Sequence, residues 1–381
     1  MDTSNYETNL TYSSYSETDG DSDYAHAYAL LHRVVLPTVF ILISIAGLVA
    51  NGLVIFCLLY FSNLKTVPNI YILNLAIIDT LFLLSLPFLA SQYFKESWPF
   101  GLILCKFVNG MDTFNQYGSA WTLVAMSADR FVAVAYPLSS MQRRTRSCAR
   151  MVCTIVIVWS LVLSSVNWSF AQVEQPYGYN DSYCMVVFPS NFTSFYAAYT
   201  GLNFGLGFAV PLGFIIFFYM SIFYIMQNND FFFQSDAKTA AQRASKRVAV
   251  LTIAVIVVFF ICWMPYYFVQ LKILISDETT PFLEIFHIFT IAWCYMNSLF
   301  NPFVYTFVGE NFRKNMAKLC LCGRQNLTRG RSGRDSSTYT RSTMKLQPLK
   351  RKQAKATYCN PTDLTVDVSQ EQNNNAHTTS A

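Results

Sequence analysis

The chain has 381 residues and a formal net charge of +5, with 53% hydrophobic and only 13% charged residues. Soluble domains carry about 25% charged residues, so this balance, with a mean hydropathy of +0.31, excludes a string of ordinary soluble domains and indicates a membrane protein. The charge is uneven: Met1–Leu31 holds Asp2, Glu7, Glu17, Asp19, Asp21 and Asp23 with no Lys or Arg, whereas Gly309–Lys355 is rich in both.

The first 33 residues read as an acidic tail, rich in Ser, Thr and Tyr, with the glycosylation sequon Asn9-Leu10-Thr11 and no cleavable signal peptide. A bilayer core of about 30 Å needs roughly 20 apolar residues as helix. Seven such stretches follow, near Val34–Phe61, Asn69–Phe94, Leu102–Tyr136, Met151–Ala171, Phe195–Met226, Lys246–Ile275 and Phe282–Val308. Backbone groups in lipid must be satisfied within each segment, and no alternating barrel pattern is present, so an all-α bundle of seven helices is expected over 34–308. Arg143, Arg144, Arg146 and Arg150 lie between the third and fourth spans, Lys238, Arg243, Lys246 and Arg247 between the fifth and sixth, and Arg313, Lys314 and Lys318 after the seventh. Positive segments stay inside, which puts the N-terminus outside and the chain in the plasma membrane as a multi-pass protein.

That orientation makes Asn180 and Asn191, in the second outer loop, further glycosylation candidates; Asn326 matches the motif on the inner side. Of ten cysteines, Cys105 and Cys184 clearly face the oxidising side and are expected to pair. Residues 309–322 read as a short amphipathic helix on the inner leaflet, ending in palmitoylation candidates Cys320 and Cys322. From Gly323 onward hydrophobicity collapses into a polar tail, expected to be disordered, whose Ser336, Ser337, Thr338, Thr340, Ser342 and Thr343 lie beside Arg331, Arg334 and Arg341. Phosphorylation there would turn a basic stretch acidic. The sequence offers no Gly-rich phosphate loop, metal-spaced cluster or hydrolase elbow, so neither an enzyme nor a nucleic-acid partner is expected.

Ionisable groups at membrane depth are costly and mark function. Asp79 stands mid-way along the second span, Asp112 two turns inward of Cys105, and Asp129-Arg130 at the end of the third. Each could instead be a hydrogen-bonded strut. Asp112 shares a helix face with Gln116, and a carboxylate in a low-dielectric vestibule calls for a cation, which amines and Lys- or Arg-bearing peptides both supply.

Taken in order, Asn51, Asp79, Cys105 with Cys184, Trp159, Pro211, Phe259-Phe260-Ile261-Cys262-Trp263-Met264-Pro265 and Asn301-Pro302-Phe303-Val304-Tyr305 resemble the signature positions of rhodopsin-like G-protein-coupled receptors from about Val34 to Cys322. The resemblance implies that Asp129 restrains Arg130 at rest, that α-helical bending at Pro265 follows pressure on Trp263 beside Phe259, and that Tyr219 and Tyr305 receive the freed Arg130. It also implies a sodium ion among Asp79, Asn115, Ser119, Asn297 and Asn301; no cofactor besides this allosteric ion is expected. Two departures are visible: Asp129-Arg130-Phe131 replaces the family's Asp-Arg-Tyr, and Ser245-Lys246 leaves no acid at the cytoplasmic start of span six, so basal activity is expected to be loosely suppressed.

Asp112-Thr113-Phe114-Asn115-Gln116 with Cys262-Trp263-Met264-Pro265-Tyr266-Tyr267 is most similar to the somatostatin and allatostatin-C receptors, within the peptide branch that holds the opioid receptors. That similarity implies a cationic neuropeptide ligand held by Asp112, Gln116, Gln270 and Tyr295 with Tyr266 and Phe268 nearby, inhibitory Gi/o coupling, and receptor kinases and an arrestin acting on the tail. Gln270 stands where somatostatin receptors carry asparagine. The alternative is an opioid-like or biogenic-amine receptor anchored at Asp112. Against a catechol ligand, outer span five offers Tyr199, Thr200 and Asn203 but no serine cluster. Against an opsin, span seven has no lysine. A transporter or channel would show repeated halves or matched broken helices, and an adhesion protein a larger outer domain.

Overall fold

In hydrocarbon no water competes for backbone groups, so each apolar run closes its hydrogen bonds on itself as a helix. The computed structural model describes residues 26–60, 66–136, 139–140, 142, 144–175, 181–188, 193–228, 240–275 and 280–308. The seven helices are α1 (His26–Tyr60), α2 (Val67–Lys95), α3 (Gly101–Ala135), α4 (Arg146–Phe170), α5 (Thr193–Phe204, continuing through Gly205–Ala209 into Val210–Asn228), α6 (Ala240–Ile275) and α7 (Pro281–Val308). Among the described residues α1, α2, α4, α5 and α6 are long and apolar enough to cross a membrane; α3 and α7 are interrupted by polar residues such as Asn109, Asp112, Asn115 and Gln116 on α3 and His287, Asn297 and Asn301 on α7. α1 begins at His26 rather than Val34, and its outer turn is tied to the end of α2 by an ion pair between Arg33 and Glu96. The sequons at Asn9, Asn180 and Asn191, the stretch 309–322 with Cys320 and Cys322, and the tail lie outside the described residues.

An all-α reading misses one small element. β1 (Ala171–Glu174) pairs antiparallel with β2 (Tyr183–Val186), Val173 opposite Cys184. The expected Cys105–Cys184 disulfide is present and pins this hairpin to the outer end of α3. The side-chain amide of Gln92 pairs with both backbone groups of Cys184, accepting from its N at 2.8 Å and donating to its O at 3.2 Å. Four-residue strands between two long spans leave too short a pattern for sequence to show.

At Pro87, Pro211 and Pro302 the carbonyl that the proline orphans is met from a neighbouring helix. Pro87 breaks α2 at Leu84–Ser85 and cannot serve the Leu83 carbonyl, which accepts from Ser44 Oγ of α1 at 2.8 Å. Gly205–Ala209 forms a π-turn in which the Val210 amide returns to Gly205 and Pro211 has no amide to offer Leu206. Trp121 Nε1 of α3 donates to that Leu206 carbonyl at 3.1 Å. In α7, Pro302 leaves the Ser298 carbonyl to Asn51 Nδ2 of α1 at 2.9 Å.

Close helix approach also depends on small residues. A Cβ on Gly110 would stand 2.2 Å from the ring of Trp168, whose indole is held by Ser164 at 3.2 Å. We expect Gly110→Ala to separate α3 from α4 and cost about 1–2 kcal/mol, within the range of overpacking. Thermal denaturation of the detergent-solubilised protein should show the loss. Gly47→Ala, which meets only the flexible tip of Leu83 at 2.7 Å, should show less.

Candidate functional site

At the outer end of the bundle Asp112 of α3 lies beside the Tyr295 hydroxyl of α7. The Tyr295 ring packs on Phe40 (5.3 Å) and Phe82 (4.9 Å), so its position is set by α1 and α2. Tyr93 lies within electrostatic range of Asp112 and packs on Phe40 and His32. One turn deeper on α3, Gln116 is buried and its Nε2 has no partner, facing Gly207 of the π-turn. On the opposite wall Gln270 Nε2 donates to the Tyr266 hydroxyl at 3.1 Å and lies 3.2 Å from His287 Nε2 of α7. A carboxylate with a phenol donor, an aromatic surround and unspent amide groups suits a cation flanked by peptide-like polar groups.

The structure does not bring Phe268 to this group. It is 68% exposed, because it stands two residues, about 200°, from both Tyr266 and Gln270, and so faces away from the vestibule. Sequence reading missed Tyr93 and His287; aromatic and imidazole rings in outer spans are too common to stand out. The residues Tyr199 and Asn203 are engaged in holding helices together. Tyr199 donates to Asn167 of α4, while Asn203 accepts from Tyr117 at its side chain (2.7 Å) and from Tyr267 at its backbone (3.0 Å).

Below the vestibule the rings of Tyr266, Trp263, Phe259 and Phe208 succeed one another at centroid spacings of 6.0, 6.1 and 6.3 Å. Trp263 Nε1 is buried without a partner, so this ring is held by packing alone. At mid-depth Asp79 Oδ1 accepts from Asn115 Nδ2 (3.0 Å) and Ser298 Oγ (2.7 Å), and Oδ2 from Asn301 Nδ2 (2.9 Å). Ser298 was not singled out from sequence, although it adjoins Asn297. Ser119 Oγ, both side-chain polar atoms of Asn297 and Asn301 Oδ1 are buried and unpartnered. Helical spacing sets Ser119 one turn below Asn115 and Asn297 one turn above Asn301.

At the inner end Arg130 pairs with Asp129 as expected. A third group joins them: Arg144 Nε donates to Asp129 Oδ1 at 2.8 Å and its Nη2 to Oδ2 at 2.7 Å. From sequence Arg144 was one of several loop arginines whose role is topogenic, and nothing in its spacing sets it apart. The ring of Phe131 packs on Phe218 of α5 (5.7 Å), so the residue that replaces the family's tyrosine serves the α3–α5 contact. The Tyr219 hydroxyl faces Thr252, Arg130 and Ser127 without a geometric hydrogen bond, and the Tyr305 hydroxyl is buried and unpartnered near Asp79. Both phenols thus have unused hydrogen-bonding capacity.

Comparison with known proteins matches residues 50–305 to the family described as 7 transmembrane receptor (rhodopsin family). Somatostatin receptor type 2 of Mus musculus is 32% identical over 331 residues, covering 86% of this chain and 89% of its own. Somatostatin receptor type 5 of Rattus norvegicus is 35% identical over 291 residues (76% and 78%), and Neuropeptides B/W receptor type 1 of Homo sapiens 35% over 294 residues (76% and 88%).

Proposed function

This chain belongs to the rhodopsin family of seven-transmembrane receptors, multi-pass membrane proteins that are not enzymes, and from that premise we propose that it binds an extracellular neuropeptide of somatostatin or allatostatin-C type and activates inhibitory Gi/o proteins. The observation that carries the reading is the Gln270–Tyr266–His287 polar group, with Tyr266 and Tyr295 both in electrostatic range of the carboxylate of Asp112, a cation anchor beside peptide-matching polar groups. The names of the similar receptors support a peptide as the ligand class. A catechol amine fits less well, since Asn203 and Tyr199 are already engaged in helix contacts. In this reading the N-terminus is extracellular, the ligand is cationic, and receptor kinases and an arrestin act on the cytoplasmic tail. Challenging cells that express the chain with cyclic cationic neuropeptides should lower cAMP. A bound, saturating peptide that produces no Gi/o response would remove the coupling assignment.

The site residues also fit a resident sodium ion at mid-depth. An ionised carboxylate offers about four lone-pair directions, and Asp79 uses three of them, while oxygens of Ser119, Asn297 and Asn301 are buried and unspent. Asp79 would hold the ion with these oxygens, which supplies positive charge to a buried anion and favours the resting bundle. Agonist affinity should then fall about 5-fold when sodium replaces a bulky organic cation at equal ionic strength, and Asp79→Asn should abolish the difference. Wild-type affinity indifferent to sodium would leave Asp79 as a strut between α2, α3 and α7.

A further inference from the structure

Pro265 in α6 removes the amide that the Ile261 carbonyl would accept. Ile261 is 50% exposed on the lipid side of the bundle, where no water can stand in for the lost donor. The indole Nε1 of Trp293 in α7 donates to that carbonyl at 3.0 Å. Its ring is set by stacking on Phe289 (6.0 Å) and edge contact with Phe300 (6.3 Å), so the direction of the N–H is fixed by packing rather than by chance rotamer. Two residues along α7, on the other side of the helix, Tyr295 lies beside Asp112.

We propose that Trp293 is a positioning residue of the receptor switch: its indole ties the proline-bent turn of α6 to α7 and holds α6 in its resting bend. Ligand binding and the α6 bend are thereby linked through one helix. A cation that takes Asp112 displaces the Tyr295 hydroxyl, and the adjustment of α7 that follows is felt by the indole on its far face. The inference rests on the receptor reading above, but the bond itself does not.

Two measurements separate them. Trp293→Phe keeps the ring stack and deletes the N–H. In the purified receptor reconstituted with a Gi/o heterotrimer, it should raise ligand-independent nucleotide exchange roughly 3- to 10-fold, the equilibrium shift that one neutral hydrogen bond confers. Pro265→Ala returns an amide to Ile261, so the same tryptophan substitution on that background should change exchange little. Unchanged exchange in Trp293→Phe, or an equal rise on both backgrounds, overturns the proposal. Independently of any G protein, Ile261-Cys262 is the sole Ile-Cys dipeptide in the chain, so paired carbonyl-13C Ile and 15N Cys labelling isolates the Ile261 carbonyl. Its 13C resonance should move upfield in Trp293→Phe. An unmoved resonance excludes the bond even if Pro265→Ala fails to fold. Absence of exchange for wild type with every ligand would instead overturn the Gi/o coupling on which this inference rests.

Discussion

Asp112→Asn should reduce the potency of a cationic peptide about 10- to 150-fold while leaving the amount of protein at the cell surface unchanged. Asparagine keeps the size of the side chain and leaves an oxygen facing Tyr295, so the packing between α3 and α7 survives. What is lost is a charged hydrogen bond, worth roughly 1.5–3 kcal/mol, in a site walled by Phe40, Phe82, Tyr93 and Tyr295 where water competes poorly. Potency is read as the concentration of peptide giving half-maximal inhibition of cAMP. Equal potency in mutant and wild type would mean that Asp112 serves only to join α3 to α7, and would shift the search for a cation anchor away from the vestibule.

Arg144→Ala should lower exchange at the inner end, both basal and ligand-driven, by roughly 10-fold. The naive expectation is the opposite, since Arg144 belongs to the ionic cluster around Asp129 at rest. Its geometry argues otherwise. Arg144 alone reaches both carboxylate oxygens, so Asp129 stays satisfied when Arg130 leaves it. Without Arg144, departure of Arg130 strands a buried carboxylate, a cost of about 1.5–3 kcal/mol on the active state for loss of a charged hydrogen bond. Arg144→Lys, which keeps charge but not the two-pronged grip, should fall between. A rise in basal exchange in Arg144→Ala would show instead that the arginine acts as a lock.

The helices were legible because each apolar run is long and the physical alternatives in lipid are few. Their ends were not: α1 continues outward to His26 past the charged Arg33, whose partner Glu96 lies far along the chain. The Asp79 cluster could be anticipated because a mid-span acid is conspicuous and the family resemblance names Asn115 and Asn301 beside it. Ser298 escaped because serine is tolerated anywhere in a membrane helix. Phe268 was expected near the ligand by resemblance to the somatostatin receptors, and helical periodicity turns it outward. Arg144 was hidden by its surroundings, since one arginine among four in a basic loop announces topology and not a partner. The hairpin is a product of tertiary contacts, of Gln92, Asn109 and the disulfide around Cys184, that no local pattern encodes.

The caps on the bent helices bear on how the molecule is made. Helices enter the bilayer before they associate, and at that stage the carbonyls of Leu83 and Ser298 have lost their own amide donors to Pro87 and Pro302. Both find their donors on α1, in Ser44 and Asn51, and the Ser298 carbonyl of α7 is synthesised 247 residues after Asn51. During biogenesis Asn51, whose Nδ2 also donates to the Gly47 carbonyl of its own helix at 3.0 Å, must therefore keep its second amide hydrogen unspent until α7 arrives. Its buried amide is a reason for the nascent bundle to stay assembled around α1, and a reason for a truncated chain lacking α7 to be recognised as unfinished.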